Sequence, residues 1–276
     1  MPWLPELFSA PVLEHVREER ERARLEAVPY YDGLMAGEHA ALIKSFAGEP
    51  VLHDPLHGRI MGARAFEAYV TDLGAWLAAR KMSFEPVDDV VTETRAIEEV
   101  VLHLDGQAGR VVVPVAIIAD RQSDGRLVEL RVYHSMWPVG GHHVHRPPML
   151  QRDPELRAPG VVADYQRALA AADVDAILAT FEPDAYAREP AGAEYVHRGV
   201  DGLRDFYTRL FSNGGGIPLE HCAMVGTERL CALEYNIVKW GRAELSPEAG
   251  VAVYVRGGSG LLSAARIYDD ADPPIR

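Results

Sequence analysis

The chain has 276 residues, 48% hydrophobic and 25% charged, an ordinary composition for a globular protein that buries one large core or two moderate ones. Its formal net charge is −13, from 28 Lys and Arg against 41 Asp and Glu, which excludes the extended basic face that nucleic acid requires. The first residues, MPWLPELFSAPVLEH, lack a basic segment followed by an apolar run, and no stretch reaches the length of a membrane span, so a cytoplasmic protein is expected. Lysine occurs only at Lys44, Lys81 and Lys239, a bias toward Arg that reflects the base composition of a bacterial genome rather than function. Cys222 and Cys231 make neither a disulfide framework nor a zinc site and are expected as small buried hydrophobes.

Residues 11–28, PVLEHVREERERARLEAV, predict a charged helix with sparse apolar positions at Val12, Val16 and Ala23, which packs lightly. A helix over 28–46 follows, then a short strand in LHDPLHGRIMG, then a turn at Gly62 into a helix over 63–79. Four β-rich runs come next: FEPVDDVVT, IEEVVLHL, VVVPVAIIAD and LVELRVYHS. The stretch WPVGGHHVHRPPMLQRDPELRAP is rich in Pro and Gly, carries no apolar period and reads as a linker. The same order then returns. A helix over 161–181 precedes AREPAGAEYVHRG, a turn at Gly199 and a helix over 200–211, and LEHCAMVGT, CALEYNIVKW, GVAVYVR and LLSAARIYDD follow.

The two halves hold one register. Tyr30 and Tyr165, Phe46 and Phe181, Asp54 and Glu189, Glu99 and Glu234, and Tyr133 and Tyr268 are each 135 residues apart. Two homologous domains are therefore expected, over 29–137 and 158–276, after an extension at 1–28 and joined by a linker at 138–157. Helices first and strands after, without βαβ alternation, indicate an α+β fold.

The second copy, DYQRALAAADVDAILATFEPDAYAREPAGAEYVHRGVDGLRDFY, resembles the first half of ketosteroid isomerase. More broadly it resembles the nuclear transport factor 2-like superfamily, which includes SnoaL-like polyketide cyclases. The likeness extends over nearly all of both domains and is most specific from Tyr165 to Tyr207. It implies two tandem cone-shaped domains, each a strongly curved, mostly antiparallel sheet wrapped around helices with a pocket at its wide end. Isolated domains of this superfamily pair through the outer sheet face. Two copies in tandem thus imply an intramolecular pseudo-dimer, as a monomer or a homodimer overall.

The resemblance puts the isomerase's general base, an acid before Pro, on Glu189 and Asp54, and its oxyanion tyrosine on Tyr165 and Tyr30. Its second oxyanion donor, a protonated acid on a late strand, has no counterpart in VPVAIIAD or GVAVYVR. The cyclases instead end in a Tyr followed by an acid that faces the pocket. That pair falls on Tyr268 and Asp269, with Tyr133 and His134 in the first copy. Strand neighbours point to opposite faces, so Tyr268, Tyr133 and Arg131 are expected outside the pockets, and Arg188 away from Glu189.

Abstracting a proton beside a carbonyl takes a base near the carbon and donors where the enolate oxygen gathers charge. Glu189 or Asp54 is the candidate base, Tyr165 or Tyr30 the oxyanion donor, and Asp269 or His134 a proton relay or the base of a cyclisation. A carboxylate in an apolar pocket titrates high and makes a better base near neutral pH, where histidine also titrates. The expected protein is a cyclase or isomerase of a small hydrophobic carbonyl compound (polyketide, terpenoid or steroid-like), without cofactor, metal, nucleic-acid or membrane partner.

One alternative is a ligand-binding module without chemistry, its acids exposed at a rim. Another is an epoxide hydrolase-like site built from Asp54, Arg131 and Asp120. Each motif also has a plain structural reading: acid-Pro pairs cap turns, tyrosines fill cores, and Asp269 ends a strand. His53, His57, His103 and His134 with Asp54 are of the donor types that suit zinc or iron, but their spacing matches no metal motif.

Overall fold

The computed structural model describes residues 33–34, 39–106, 109–192 and 194–271. The helix expected over 11–28, most of the first half of the helix expected over 28–46, and Tyr30 lie outside the described residues. The first domain runs α1 (His39–Lys44), β1 (Val51–Asp54), β2 (Gly58–Met61), α2 (Ala63–Ala79), β3 (Ser83–Val91), β4 (Arg95–Gly106), β5 (Gly109–Arg121) and β6 (Leu127–Tyr133). A short α3 (Trp137–Gly140) follows. The second domain runs α4 (Gly160–Ala171), α5 (Val174–Leu178), β7 (Phe181–Arg188), β8 (Val196–Arg198), α6 (Gly199–Leu210), β9 (Leu219–Gly226), β10 (Leu230–Trp240), β11 (Ala243–Arg256) and β12 (Leu262–Tyr268).

Helix α2 forms over the expected residues. Gly62 turns the chain into it at φ 86°, and Phe66, Tyr69, Val70 and Leu77 form its buried face. The helix expected over 161–181 is instead broken in two. Ala172 takes a left-handed φ of 57°, and the Asp173 carboxylate caps α5 by accepting from the Ala176 amide at 2.9 Å. An Asp here satisfies an orphan N–H and starts a new helix where the periodicity alone reads as one.

Each domain has one six-stranded sheet, ordered β2-β1-β6-β5-β4-β3 and β8-β7-β12-β11-β10-β9. All neighbours are antiparallel except β1 with β6 and β7 with β12. The α+β class and the mostly antiparallel pairing agree with the sequence, but the cone-shaped, strongly curved domain does not. Both sheets are open runs that neither curl strongly nor close. Closure requires the edge strands to meet in a consistent stagger. Here one edge is β2, of four residues, or β8, of three, too short to bridge to the far edge. Apolar surface is covered by helices on one face and by the other domain on the second.

Alternation along each strand sorts the side chains between these faces. In β4, Ala96, Val100 and Leu102 join the first domain's own core, and Ile97 joins a cluster shared by both domains. In β10, Cys231, Leu233 and Tyr235 face the second core while Leu230 and Ala232 face the first domain. Burial on both faces explains why VVVPVAIIAD and VAVYV read as unbroken apolar runs.

Inside the shared cluster the register of 135 reappears as a pseudo-twofold set of buried ion pairs. Arg131 grips Glu234 through Nε at 2.6 Å and Nη2 at 3.0 Å, and Tyr133 donates to the same carboxylate at 2.7 Å. Across the pseudo-twofold, Arg266 grips Glu99 through Nε at 2.8 Å and through Nη2, and Tyr268 donates to Glu99 at 2.5 Å. Both rings also carry a guanidinium. Arg146 lies 4.7 Å over Tyr133 and Arg188 4.5 Å over Tyr268, one from the linker and one from β7. The tandem is thus arranged as a pseudo-dimer.

Candidate active site

A cavity of about 680 Å³ opens in the second domain between the helices and the inner face of the sheet. Its walls are aromatic: Tyr165 from α4, Phe206 and Tyr207 from α6, Tyr235 and Trp240 from β10, and Tyr254 from β11. An aliphatic set, Leu169, Leu210, Ile217, Ile237 and Ile267, fills the gaps. Cavities of this size and lining suit a small, mostly apolar molecule.

Two carboxylates reach this cavity. Asp269 follows β12 and is buried, 6% exposed, where it accepts from the Tyr235 hydroxyl at 2.8 Å. Burial pushes its pKa up to about 6, and the Tyr235 hydrogen bond only partly opposes the rise. Glu189 stands at the mouth with its side chain 32% exposed, 2.6 Å from His197 Nε2. The β7–β8 pairing sets that contact. Ala187 pairs with His197, and Glu189 lies two residues on from Ala187, on the same face. His197 is itself held by stacking on Phe206, ring centroids 4.3 Å apart and 9° from parallel.

The hydroxyls form short chains. Tyr165 and Tyr207 share a hydrogen bond of 2.9 Å, and burial pushes the Tyr165 pKa up to about 12. Gln166 Nε2 donates to Tyr254 Oη at 2.6 Å. Every one of these tyrosines is therefore neutral at physiological pH and acts as a donor or acceptor, never as a phenolate.

Of the residues expected from sequence, Tyr165, Glu189 and Asp269 line this one cavity. Asp54 and His134 belong to the first domain, and Tyr30 is not described. Asp54 accepts from Tyr69 at 2.7 Å, from the Leu56 and His57 amides at 2.9 Å, and sits 2.7 Å from His57 Nδ1. Burial works to raise its pKa, but the Tyr69 bond, His134 and His57 outweigh it, and the net shift is downward. Asp54 is thus not the raised-pKa base expected of a carboxylate in an apolar pocket. It is a saturated turn carboxylate beside a groove of about 460 Å³ that also includes His53, Arg59, Glu129 and Arg146. His134 is pushed down by burial, with Asp54 opposing, and is neutral at pH 7.

Arg131 and Asp120 do meet, at 2.7 Å, but in the interface with Glu234, while Asp54 is engaged by Tyr69 and His57. The three do not surround one water site. The histidines also disperse. His53 faces Glu129 at 3.4 Å and His103 faces Glu85 at 3.3 Å. Among the described residues no group of three or more His, Cys, Asp or Glu is placed to hold a metal ion. No described helix is long and apolar enough to cross a membrane. Cys231 is buried and Cys222 half-buried, both as free thiols.

Sequence reasoning missed Tyr207, Tyr235, Tyr254, His197, Trp137 and His143 as cavity residues. A signal for two of them was present. Val100 and Ala119 stand 135 residues before Tyr235 and Tyr254, so tyrosines replace small apolar residues at core positions of only one copy.

Residues 162–258 match the family model of the SnoaL-like domain. This match falls within the second domain, whose sheet order the first domain repeats. The solved structures similar to the chain include a candidate polyketide cyclase from Sinorhizobium meliloti, at 20% identity, covering 40% of this chain and 94% of that one, with a TM-score of 0.34. Another is the epoxide hydrolase/cyclase-like enzyme SalBIII of pyran ring formation in salinomycin, at 15% identity, 42% and 90% coverage and a TM-score of 0.33. A third, a nuclear transport factor 2-like protein from Anabaena variabilis, has 16% identity, 41% and 86% coverage and a TM-score of 0.34. No curated protein matches the chain.

Proposed function

We propose that the protein is an enzyme performing cofactor-free acid/base chemistry on a small hydrophobic carbonyl compound, as a cyclase or isomerase does, in the second domain's cavity. Asp269 carries the reading: a buried carboxylate in an aromatic cavity, bonded to Tyr235 and titrating near 6. Above that pH it is ionised, poorly solvated and able to take a proton from a carbon beside a carbonyl. Below it, the same group is a donor. The Tyr165–Tyr207 pair spends one O–H on itself and keeps one to give, which suits it to the enolate oxygen. Glu189 and His197 meet at 2.6 Å at the mouth and are the natural second acid/base pair. The SnoaL-like match supports the choice of domain. It ends at residue 258 and does not reach Asp269, which is carried by its place in the cavity.

A ligand-binding role without chemistry is the second reading. It is favoured by how fully the cavity's hydroxyls are engaged, Tyr235 by Asp269 and Tyr254 by Gln166. Solvent-deuterium exchange into cyclic ketones and β-dicarbonyls, followed by NMR, separates the two. Wild type should catalyse exchange, Asp269→Asn should lose about 100-fold or more, and Asp54→Asn should keep it. Exchange no faster than buffer with any substrate that binds would leave binding as the function.

A further inference from the structure

The cavity of the second domain is not completed by the second domain. Trp137 and His143, from the segment that leaves the first domain's last strand, line it, and their rings stack at 5.0 Å and 27°. The segment is clamped in place. Both oxygens of Asp270 are used on it: Oδ1 accepts from Ser135 Oγ at 2.5 Å and meets His143 Nδ1 at 2.9 Å, and Oδ2 accepts from the Met136 and Val144 amides at 3.0 and 2.8 Å. Farther along, the Ala249 amide donates to Arg146 O at 2.9 Å and Asn236 Nδ2 donates to Leu150 O at 3.1 Å. At the mouth, Gly192 follows Pro190 and Ala191, which line the cavity, and a Cβ at Gly192 would lie 3.4 Å from Pro138 Cγ. What reads in sequence as a loose Pro- and Gly-rich linker is a strap held at several points.

We propose that Trp137 and His143 are ligand-binding residues of the second domain's cavity, presenting the face of their stacked rings to a flat unsaturated ligand, and that Asp270 is the residue that positions them. The inference rests on reading this cavity as the working site. It makes the first domain a contributor to that site. The occupant follows from the walls, since two stacked ring pairs, Trp137–His143 and His197–Phe206, belong to the lining of one aromatic cavity. Asp270 does not line the cavity; it acts through the strap and, as the neighbour of Asp269, through the charge it places beside that acid.

The test is calorimetric titration of the full chain with 2-naphthol, a flat fused-ring alcohol. Wild type should bind saturably. Trp137→Ala should weaken binding about tenfold, and Trp137→Phe, which keeps a flat face, should restore most of it. His143→Ala should weaken binding by a smaller factor with little change in melting temperature, and Asp270→Asn, whose amide nitrogen cannot accept from the strap's N–H groups, should weaken binding and lower the melting temperature as well. If Trp137→Ala fails to fold, His143→Ala decides alone. Binding unchanged in the strap variants but weakened in Tyr235→Phe and Asp269→Asn would overturn the strap's role and leave the cavity standing. No saturable binding by wild type would overturn the flat-ring occupant. The acid/base reading would then still be decided separately, by deuterium exchange.

Discussion

The two domains share a topology position for position, yet their interiors differ in kind. Where the second has Tyr235, Tyr254 and Asp269, the first has Val100, Ala119 and His134, each 135 residues earlier. Val100 and Ala119 join an aliphatic core, while Tyr235 and Tyr254 wall a cavity. The acid before proline diverges as well: Asp54 is locked by Tyr69 and three more hydrogen bonds, and Glu189 meets a histidine at an open mouth. One copy is filled by apolar packing where the other carries polar groups around a cavity. The face between the copies is symmetric, with an Arg–Tyr–Glu set complete on each side.

This contrast predicts that interface changes damage folding while cavity changes damage function. The largest expected effect is at the interface. Glu234→Ala strands Arg131 without its bidentate partner, and Glu99→Ala does the same to Arg266. Each should cost about 3–5 kcal/mol in urea denaturation. Clearly unequal losses would break the symmetry argued here.

Next come the two buried acids, whose pH dependences should have opposite signs. The folded pKa of Asp269, about 6, lies above the ordinary aspartate value, so the native state binds the extra proton between them. Stability falls as pH rises from about 4 to 6, by about 3 kcal/mol, and the loss persists at higher pH. Asp269→Asn should remove that slope and melt higher than wild type at pH 7. Asp54 has a lowered pKa, so its contribution is present above the ordinary aspartate pKa and fades as pH falls through the folded value. Asp54→Asn should melt lower at pH 7 and flatten the acid limb. Melting temperatures from pH 3 to 8 for both variants check this.

The smallest effect sharpens the assignment of Asp269. Tyr235→Phe removes the hydrogen bond that holds the Asp269 pKa down, so the ionisation seen in the exchange rate should move to higher pH. A profile that stays put would mean that Asp269 is not the titrating group.

Much of this arrangement was legible in the chain itself. The constant offset gave the duplication, and strand alternation set Tyr268 opposite Asp269 and Arg131 opposite His134. Helix α2 needed only its glycine turn and apolar period. Other features were hidden for physical reasons. The break at Ala172 depends on one side-chain cap, which a periodicity count does not weigh. The Glu189–His197 contact depends on a hairpin register, and the strap has no period at all, being ordered by partners more than a hundred residues away. The cone failed because closure is a property of strand lengths and edges, which a family likeness does not specify.

The crossed ion pairs also set an order of events during synthesis. Glu99 sits 167 residues before Arg266 and 169 before Tyr268, the two side chains that neutralise and cap it. At about 5–20 residues per second, the ribosome leaves that acid without its partners for roughly 8–30 s. The first domain spends that interval with its outer sheet face bare, an apolar surface on which Glu99 and Asp88 stand without Arg266 and Arg229, and Arg131 without Glu234. Charges set into that bare face keep it hydrated until the second domain arrives to cover it.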